Sequence, residues 1–391
     1  MSKLFANYKR AEVAFTHGSG VKLYDTEGKE YLDFLSGIAV SSLGHAHPRM
    51  VSALTDQVAK LLHVSNLYTI PEQEAAAAKL TEVCGFEKAF FCNSGAEANE
   101  ALIKMARRYA HQNGLPPVLV VAHNSFHGRT MATLSATGNP KYQENFHPLV
   151  EGFRFVDFND QRQALDALEG ACGVLIEPVQ GEGGVVPADP EYLAAIANAC
   201  RVSGKLFLLD EVQTGIGRTG EWLAAHAYGV KPDAVALAKG IGGGVPVGAV
   251  LTSQALSELL PPGSHGTTYG GNLLASRATL TVLETIEDER LLDKVKETGR
   301  YLSEQLLAVP GVKSVRGLGL LLAVELEEEA GPVAERCMAA GLLLNAVRPT
   351  ALRLAPPLVV TKAEVDTAIS ILEEALCQTT SVPVANAPSS N

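Results

Sequence analysis

The sequence predicts an α/β fold, in which a large domain with a mostly parallel sheet is joined to a smaller α+β domain. Across residues 75–253, short apolar runs alternate with segments of helical periodicity, which is typical of strands covered on both faces. Two of these runs end in a charged residue, Asp210 after 206–209 and Lys239 after 234–238. Ligands of open α/β sheets bind beyond the carboxyl ends of the strands, so we expect an acid and an amine in one pocket.

The first part of the chain predicts a small antiparallel unit followed by the alternating region. Residues 21–25 and 30–34 alternate with a period of two around a turn at 26–29. A helix is expected over 49–62. The alternating region then predicts strands at 89–92, 117–122, 152–157, 174–177, 206–210, 234–238 and 248–252, with helices that include 75–83, 96–111 and 191–202.

The last third of the chain has the pattern of a second, α+β domain. It predicts a long helix at 273–306, strands at 312–316 and 319–326, and helices at 331–340 and 361–376. We therefore assign 50–270 to the large domain and build the small domain from 1–49 and 271–377. The polar, proline-containing segment 378–391 is predicted to be a disordered tail.

Composition narrows the class of partner. The formal net charge is −11 and no Lys/Arg-rich run offsets it, which argues against nucleic acid. The apolar stretches are too short to span a bilayer, so no membrane partner is expected. Six cysteines without a C-x-x-C pair, and no apolar signal core in the first ten residues, favour a cytoplasmic protein. His45 and His47 lack further ligands at metal-binding spacing, so no metal is assigned.

Asp210 and Lys239 suit the chemistry of pyridoxal phosphate (PLP). That cofactor needs a lysine for a Schiff base and an acid beside its pyridinium nitrogen. Burial lowers the pKa of a lysine, and the neutral amine is the nucleophile. Gln213, just beyond Asp210, could hydrogen-bond the ring oxygen, whereas Glu211 is expected to point elsewhere. The alternative for Lys239 is a surface lysine beside a glycine loop, which the preceding apolar run disfavours.

The segment Asn-Ser-Gly-Ala-Glu at 93–97 stands where a predicted strand ends and a helix begins. Small residues there let free backbone N–H groups approach an anion, and the helix dipole favours negative charge. Ser94, Gly95 and Ala96 are therefore a candidate phosphate site. An ordinary capped turn between strand and helix explains the same residues equally well.

The loop after the strand predicted at 117–122 carries candidate contacts for a ring and a carboxylate. Phe126 could stack on a cofactor ring, and Arg129 could hold a carboxylate through two parallel hydrogen bonds. A core phenylalanine and a structural arginine are the alternatives. His127, between them, is interpreted as structural or as a loop donor, and Glu177 at another strand end as structural.

Further polar candidates lie in glycine- or proline-bounded segments. Glu182, in a glycine-rich turn, could pair with an arginine of the site, and Arg353 could reach a second carboxylate. Thr267 and Thr268 lie in a loop able to hydrogen-bond a phosphate. Solvated surface residues and a linker between domains are the alternatives for these positions.

Taken together and in this order, these segments resemble the class-III aminotransferases of PLP-dependent fold type I. The likeness covers residues 8–376, and its most specific part is Asp-Glu-Val-Gln-Thr-Gly-Ile-Gly-Arg-Thr-Gly at 210–220, followed by Lys239-Gly240. Residues 36–40, 66–68, 93–99 and 134–138 are similar to the N-acetylornithine branch of that family. The resemblance implies a mostly parallel seven-stranded sheet, PLP as cofactor, and a homodimer with active sites at the subunit interface.

The resemblance also implies roles around the cofactor. Lys239 would form the Schiff base and later move a proton, while Asp210 would pair with the ring nitrogen. The remaining implied contacts are Gln213 with the ring oxygen, Phe126 with the ring face, Ser94, Gly95 and Ala96 with the phosphate, and Thr268 with the phosphate of the neighbouring subunit's cofactor.

Substrate roles follow from the same resemblance. Arg129 would hold the α-carboxylate of the amino donor, with Thr267 contacting substrate. Arg353 would take the α-carboxylate of glutamate or 2-oxoglutarate, and Glu182 would mask it during the other half-reaction. Small amino acids and 2-oxo acids are thus the expected partners.

Ile38 marks a departure from a related branch. Ornithine aminotransferases resemble this chain but carry a tyrosine at that position, where it helps to bind a free α-amino acid. Ile38 therefore favours an N-acylated donor, and the expected reaction moves the δ-amino group of N-acetylornithine to 2-oxoglutarate, as in arginine biosynthesis. Succinylornithine, carrier-protein-linked lysine, succinyl-diaminopimelate, ornithine and 4-aminobutyrate remain alternative donors.

Two functions of other classes also remain open. An aminomutase or racemase of the same fold would need no 2-oxoglutarate, whereas an Arg353–Glu182 pair favours two alternating substrates. A non-enzymatic nucleotide-binding module could use the glycines at 242–244. The chain lacks G-x-x-x-x-G-K-[ST], however, and Lys239 precedes those glycines instead of following them.

Overall fold

The computed structural model describes residues 3–377, and the predicted disordered tail at 378–391 lies outside them. The strands in chain order are β1 (Phe15–Ser19), β2 (Lys22–Asp25), β3 (Glu30–Asp33), β4 (Lys88–Cys92), β5 (Leu119–Ala122), β6 (Phe153–Val156), β7 (Gly173–Ile176), β8 (Val179–Gln180), β9 (Val186–Pro187), β10 (Leu206–Asp210), β11 (Ala234–Leu237), β12 (Gly248–Thr252), β13 (Val312–Leu318), β14 (Leu321–Leu326), β15 (Leu342–Leu343), β16 (Asn345–Arg348) and β17 (Ala351–Leu354).

The helices vary from single turns to a helix of 19 residues. They are α1 (Ser36–Ala39), α2 (Pro48–Lys60), α3 (Pro71–Cys84), α4 (Gly95–Asn113), α5 (Met131–Ala136), α6 (Pro140–Gln143), α7 (Gln161–Leu168), α8 (Pro190–Ser203), α9 (Ala224–Ala227), α10 (Gln254–Ser257), α11 (Leu273–Asp288), α12 (Leu291–Ala308), α13 (Ala330–Ala339) and α14 (Lys362–Cys377). None of the helices in the described part of the chain combines the length and apolar character that a membrane crossing needs.

A seven-stranded sheet forms the centre of the molecule, in the order β4-β12-β11-β10-β7-β5-β6. Strand β12 runs antiparallel to both of its neighbours, β4 and β11, and the other pairs are parallel. The prediction of a mostly parallel seven-stranded sheet is confirmed, with every predicted strand present. An antiparallel strand is common in such sheets and does not change which end of β10 and β11 faces the ligand.

The two faces of the sheet are both covered, which explains why its strands read as continuous apolar runs. In β10, Phe207 and Leu209 belong to one buried cluster, while Leu206 and Leu208 belong to another. Side chains of a strand alternate between faces, so one run fills two cores. Helix α4 packs against β10, β11 and β12 on the second of these faces.

The ends of β10 and β11 lie side by side. The two strands are parallel, with Asp210 opposite Ala236, and the chain leaves β11 at Leu237 to reach Lys239 two residues later. Lys239 begins a 3-10 turn, Lys239–Gly242, and has a φ of 49°. This left-handed conformation is unfavourable for a residue with a Cβ, and such strain is characteristic of functional positions.

Two four-stranded sheets and a two-stranded pair, β8-β9, lie outside the central one in the described residues. One four-stranded sheet has the order β1-β2-β3-β15 and the other β13-β14-β17-β16. Strand β15 comes from the last third of the chain, yet it pairs in parallel with β3, with Leu342 opposite Leu32. Segments from both ends of the chain thus share a sheet, which supports our proposed division into 50–270 and the two flanking segments.

The prediction of one long helix at 273–306 was wrong. The structure has two helices there, α11 and α12, and the chain turns between them at Arg290, whose φ is 51°. A left-handed residue ends a right-handed helix. The Arg290 side chain donates hydrogen bonds to Asp293 at 3.1 and 2.7 Å in the first turn of α12. Because no glycine or proline marks this position, the helical periodicity alone concealed the break.

Glu211 is fully buried behind Asp210 and anchors the chain that follows β10. Its carboxylate accepts hydrogen bonds from the Thr214 hydroxyl at 2.5 Å and from the backbone N–H groups of Ala224 and Ala225 at 2.9 and 2.8 Å. Burial raises the pKa of Glu211 despite these donors. The side chain therefore points away from the cavity and fastens the segment that carries Gln213.

We expect Glu211→Ala to lower the free energy of unfolding by about 2–4 kcal/mol, because two buried N–H groups lose their acceptor. Glu211→Gln keeps one acceptor oxygen and should lose less. Urea denaturation followed by circular dichroism measures both variants, with Glu304→Ala on the exposed face of α12 as the control. Equal stability of Glu211→Ala and the control would contradict an anchoring role.

Candidate active site

A cavity of about 410 Å³ opens at the carboxyl ends of β10 and β11. Its wall contains residues that follow the ends of five strands, β4, β5, β7, β10 and β11, as the fold predicts for an open α/β sheet. Nine of the predicted site residues line it: Ser94, Gly95, Ala96, Phe126, Arg129, Glu182, Asp210, Gln213 and Lys239.

Asp210 is only 4% exposed and is held by three donors. Its Oδ2 accepts hydrogen bonds from Asn99 Nδ2 at 2.7 Å and His127 Nδ1 at 2.8 Å, and its Oδ1 accepts the backbone N–H of Val212 at 3.0 Å. A carboxylate has about four acceptor positions, so one remains for a donor in the cavity. The sequence reasoning missed Asn99, although it lies in the same segment as the candidate phosphate site.

His127 is hydrogen-bonded to Asp210 and lies in the electrostatic field of a second buried acid, Glu177. Burial alone would lower the pKa of His127, but its hydrogen bond to Asp210 and the charges of Asp210 and Glu177 raise it. Burial raises the pKa of Glu177, whose carboxylate accepts the N–H groups of Phe126 and Gly181 at 3.0 and 3.3 Å. His127 is thus part of the site, and Glu177, interpreted from sequence as structural, lines the cavity.

Lys239 is half-buried in the cavity wall. Within residues 3–377, its Nζ has no hydrogen-bond or ion-pair partner. Burial lowers the pKa of the amine, and the negative charge of Glu182 opposes that shift. A larger fraction of Lys239 is therefore neutral near pH 7 than of an ordinary exposed lysine.

The backbone at the start of α4 is a candidate anion site. Ser94 caps the helix through its Oγ, which accepts the N–H of Glu97 at 3.2 Å. The N–H groups of Gly95 and Ala96 have no acceptor in the described part of the chain. A Cβ on Gly95 would lie 2.7 Å from Val212, so glycine is needed for this close approach. Free N–H groups at a helix N-terminus suit a phosphate.

Arg353 and Glu182 form an ion pair at the edge of the cavity. Arg353, 1% exposed, donates from Nη1 to Glu182 Oε1 at 2.5 Å and to Gln213 Oε1 at 3.2 Å, and from Nε to Asn345 Oδ1 at 3.2 Å. Its buried Nη2 has no partner among the described residues. Burial acts to raise the pKa of Glu182, but Arg353 lowers it, so the acid stays ionised.

Gln213 and Arg129 occupy different surroundings. The Gln213 amide donates a hydrogen bond to Glu182 and accepts one from Arg353. Its contact with a ring oxygen of the cofactor stays a prediction. Arg129 is exposed, and its guanidinium carbon lies 5.4 Å from the ring centroid of Phe126. The face of the guanidinium is thus covered, while its N–H edge is available to a carboxylate.

Thr267 and Thr268 do not line this cavity. Thr267 Oγ1 accepts a hydrogen bond from Asn93 Nδ2 at 2.9 Å, and Asn93 is a lining residue. Thr268 is exposed, so its role toward a neighbouring subunit stays a prediction.

Ile38 lies in α1, where all four residues have positive φ, and is 36% exposed near the lining residue Val40. Over residues 3–377, no group of three His, Cys, Asp or Glu side chains is placed to hold a metal ion.

These residues fit a small aldehyde that carries a phosphate and a protonated ring nitrogen. The free N–H groups of Gly95 and Ala96 suit the phosphate, and the remaining acceptor position of Asp210 suits a ring N–H. Lys239 provides an unpaired amine for the aldehyde, and Phe126 provides an aromatic face. Each chemical group of such a cofactor therefore has a counterpart in the cavity.

The lowered pKa of Lys239 predicts selective amine reactivity. In cofactor-free protein, trace labelling of lysines with an amine-reactive reagent across pH 6–11 should give Lys239 a midpoint below the ordinary lysine value of about 10.4. Mass spectrometry of the labelled peptides measures each midpoint, with the exposed Lys313 as internal control. A Lys239 midpoint at or above that of Lys313 would contradict the desolvation argument.

The chain is similar to known aminotransferases over almost its whole length. The family model Aminotransferase class-III matches residues 5–376. An acetylornithine aminotransferase of Aquifex aeolicus is 48% identical, over 96% of this chain and 100% of the relative. A Toxoplasma gondii ornithine aminotransferase, crystallized with partial occupancy of PLP at its active site, has a TM-score of 0.91 and 33% identity over 95% of this chain and 92% of that chain.

A third relative is the N-acetylornithine aminotransferase of Stenotrophomonas maltophilia, whose structure has a TM-score of 0.83 and 34% identity over 95% of this chain and 97% of that chain. The predicted fold class is thereby confirmed. Because the family model and these relatives span almost the whole chain, this protein belongs to the class-III aminotransferase family.

Proposed function

We propose that this aminotransferase uses PLP to move the δ-amino group of N2-acetyl-L-ornithine to 2-oxoglutarate, giving N-acetyl-L-glutamate 5-semialdehyde and L-glutamate. The observation that carries the proposal is the placement of two arginines, Arg129 and Arg353, around one unpaired amine, Lys239. Two separate carboxylate partners suit two substrates that enter in turn. The 48% identity to an acetylornithine aminotransferase supports the choice of donor.

PLP, when bound, supplies an aldehyde that condenses with amines and a protonated ring that withdraws electrons from the reacting carbon. In this chain, Asp210 would accept the ring N–H, and His127 and Asn99 hold its carboxylate in place. The N–H groups of Gly95 and Ala96 would hold the phosphate. The T. gondii relative, which contains PLP, supports this assignment.

Lys239 Nζ is the group that moves the proton. As a neutral amine it would take a proton from the substrate carbon that carries the transferred amino group and would hold that proton at Nζ for delivery within the same cavity. Burial lowers the pKa of Lys239, which increases the fraction of the amine that is unprotonated before the transfer. The negative charge of Glu182 then stabilises the ammonium form, so both protonation states are accessible.

The Glu182–Arg353 pair separates the two half-reactions. While the donor is bound through Arg129, Glu182 stays on Arg353 Nη1 and neutralises it. When 2-oxoglutarate enters, its α-carboxylate would displace Glu182 and take both Nη1 and the unpartnered Nη2 as a bidentate pair. This exchange favours transamination over an isomerase, which needs no second acid.

The identity of the donor depends on sequence more than on overall shape. The ornithine aminotransferase structure has a higher TM-score than the N-acetylornithine aminotransferase structure, 0.91 against 0.83, so the fold does not distinguish them. Identities of 44–48% to acetylornithine aminotransferases, and Ile38 in place of a tyrosine, favour the N-acetylated donor. This reaction is a step of arginine biosynthesis. The alternative donors are the other acylated amines, together with ornithine and 4-aminobutyrate, which carry no acyl group.

A homodimer with shared active sites accompanies this proposal. The loop with Thr268 also contains Tyr269, which is 61% exposed. Asn66 Nδ2 donates a hydrogen bond to Gly270 O of that loop at 3.1 Å. The neighbours of Asn66, Leu67 and Tyr68, are 86% and 69% exposed. Apolar side chains clustered on a surface suit a protein interface. A partner copy there would bring Thr268 to a second cofactor.

The six free cysteines support a reducing compartment, the cytoplasm.

Lys239→Ala is expected to lower kcat by more than about 100-fold, because within residues 3–377 no other lysine lines the cavity to move the proton. The purified variant should also lack the yellow colour of the wild-type protein. Absorbance spectra and a coupled glutamate assay measure the two effects, with Lys313→Ala as a surface control. A variant that kept both the colour and full turnover would refute the assignment of Lys239.

A panel of amino donors tests the substrate. We expect kcat/KM for N-acetylornithine to exceed that for ornithine by roughly tenfold or more, since kcat/KM measures discrimination. Succinylornithine and 4-aminobutyrate complete the panel, and omission of 2-oxoglutarate should stop the reaction after one turnover per site. Faster use of ornithine would overturn the donor, and continued turnover without 2-oxoglutarate would indicate an isomerase.

A further inference from the structure

Tyr142 packs against Arg129 at the mouth of the cavity. The Arg129 guanidinium carbon lies 4.1 Å from the centroid of the Tyr142 ring and 5.4 Å from that of Phe126. The two rings meet edge to face, with their centroids 5.8 Å apart and an angle of 85° between their planes. Tyr142 is therefore the nearer of two aromatic surfaces that hold this guanidinium.

In the described part of the chain, the contacts with the Phe126 and Tyr142 rings are the only polar or aromatic side-chain interactions of Arg129. Among residues 3–377, no acceptor or acid is within hydrogen-bond or ion-pair distance of its guanidinium. Arg353 differs, because it is buried and held by Glu182, Gln213 and Asn345. A long, exposed arginine without polar partners samples many rotamers, so a ring that restricts it decides where its N–H edge points.

Both sides of this contact are attached to rigid backbone. A Cβ on Gly138 would lie 2.1 Å from Ala122 O, so the chain before α6 passes directly over the end of β5. Gln143, next to Tyr142, donates from Nε2 to Leu134 O at 3.2 Å and Thr137 O at 2.9 Å. On the other side, a Cβ on Gly128 would lie 2.8 Å from Ala96, which fixes the start of Arg129.

We infer that Tyr142 is a positioning residue that orients Arg129 toward the carboxylate of the amino donor. The inference rests on the proposed function for the identity of that donor. The Tyr142 hydroxyl has no hydrogen-bond partner in the described chain, so the ring is the part that acts. A preoriented guanidinium loses less rotamer freedom on binding, which improves affinity for the carboxylate without changing proton transfer at Lys239.

The first test separates KM from kcat. Tyr142→Leu should raise KM for N-acetylornithine about five- to tenfold and leave kcat within about twofold, because binding is weakened and the chemical step is not. Tyr142→Phe, which keeps the ring, should retain wild-type KM. Phe146→Leu is the matched control: it removes an exposed aromatic of the same segment that does not touch Arg129.

A double-mutant cycle then tests whether Tyr142 acts through Arg129. In the Arg129→Met background, Tyr142→Leu should cause no further loss of kcat/KM, since the group that it positions is absent. Additive losses, or a Tyr142→Leu variant with unchanged KM, would overturn the inference. Wild-type protein that does not accept N-acetylornithine would instead refute the proposed function, so the two failures are distinguishable.

Discussion

The parallel pairing of β10 with β11 is the constraint on which the site depends. Their register places Asp210 opposite Ala236, and the chain then runs only three residues further to Lys239. An acid at the end of one strand and an amine just beyond its neighbour therefore face one cavity, whatever the surrounding loops do. Glu211, fastened to Ala224 and Ala225, holds the chain beyond β10 so that this geometry is maintained.

Burial then sets the chemistry of the charged groups around that pair. A buried charge is costly unless it is paired, and Asp210, His127 and Arg353 each have partners at hydrogen-bond distance. Lys239 is the exception, because its amine has no such partner in residues 3–377 and its pKa is lowered. In the proposed reaction this amine would change both its covalent partner and its protonation state, and the absence of a fixed partner suits that role.

The sequence predicted the parts of this arrangement that depend on local pattern. The seven strands follow from apolar runs, and Asp210, Lys239 and Gly95 follow from their positions at the ends of such runs. Asn99, Glu177 and the contact of Tyr142 with Arg129 were not predictable in this way. They join segments that are distant in the chain, such as Asn99 and Asp210, which are 111 residues apart. The break at Arg290 was missed for another reason, because a left-handed turn there has no glycine to mark it.

The two arginines differ in burial, and that difference explains why only one of them has an acidic partner. Arg353 is 1% exposed, so its charge must always be neutralised, either by Glu182 or by a substrate carboxylate. Arg129 is exposed and needs no counterion, so its N–H edge is open to the first carboxylate that enters. In the proposed reaction a donor could therefore bind at Arg129 without displacing a protein group, whereas a 2-oxo acid would have to replace Glu182. The solvation of the two guanidinium groups would thus determine how each substrate enters.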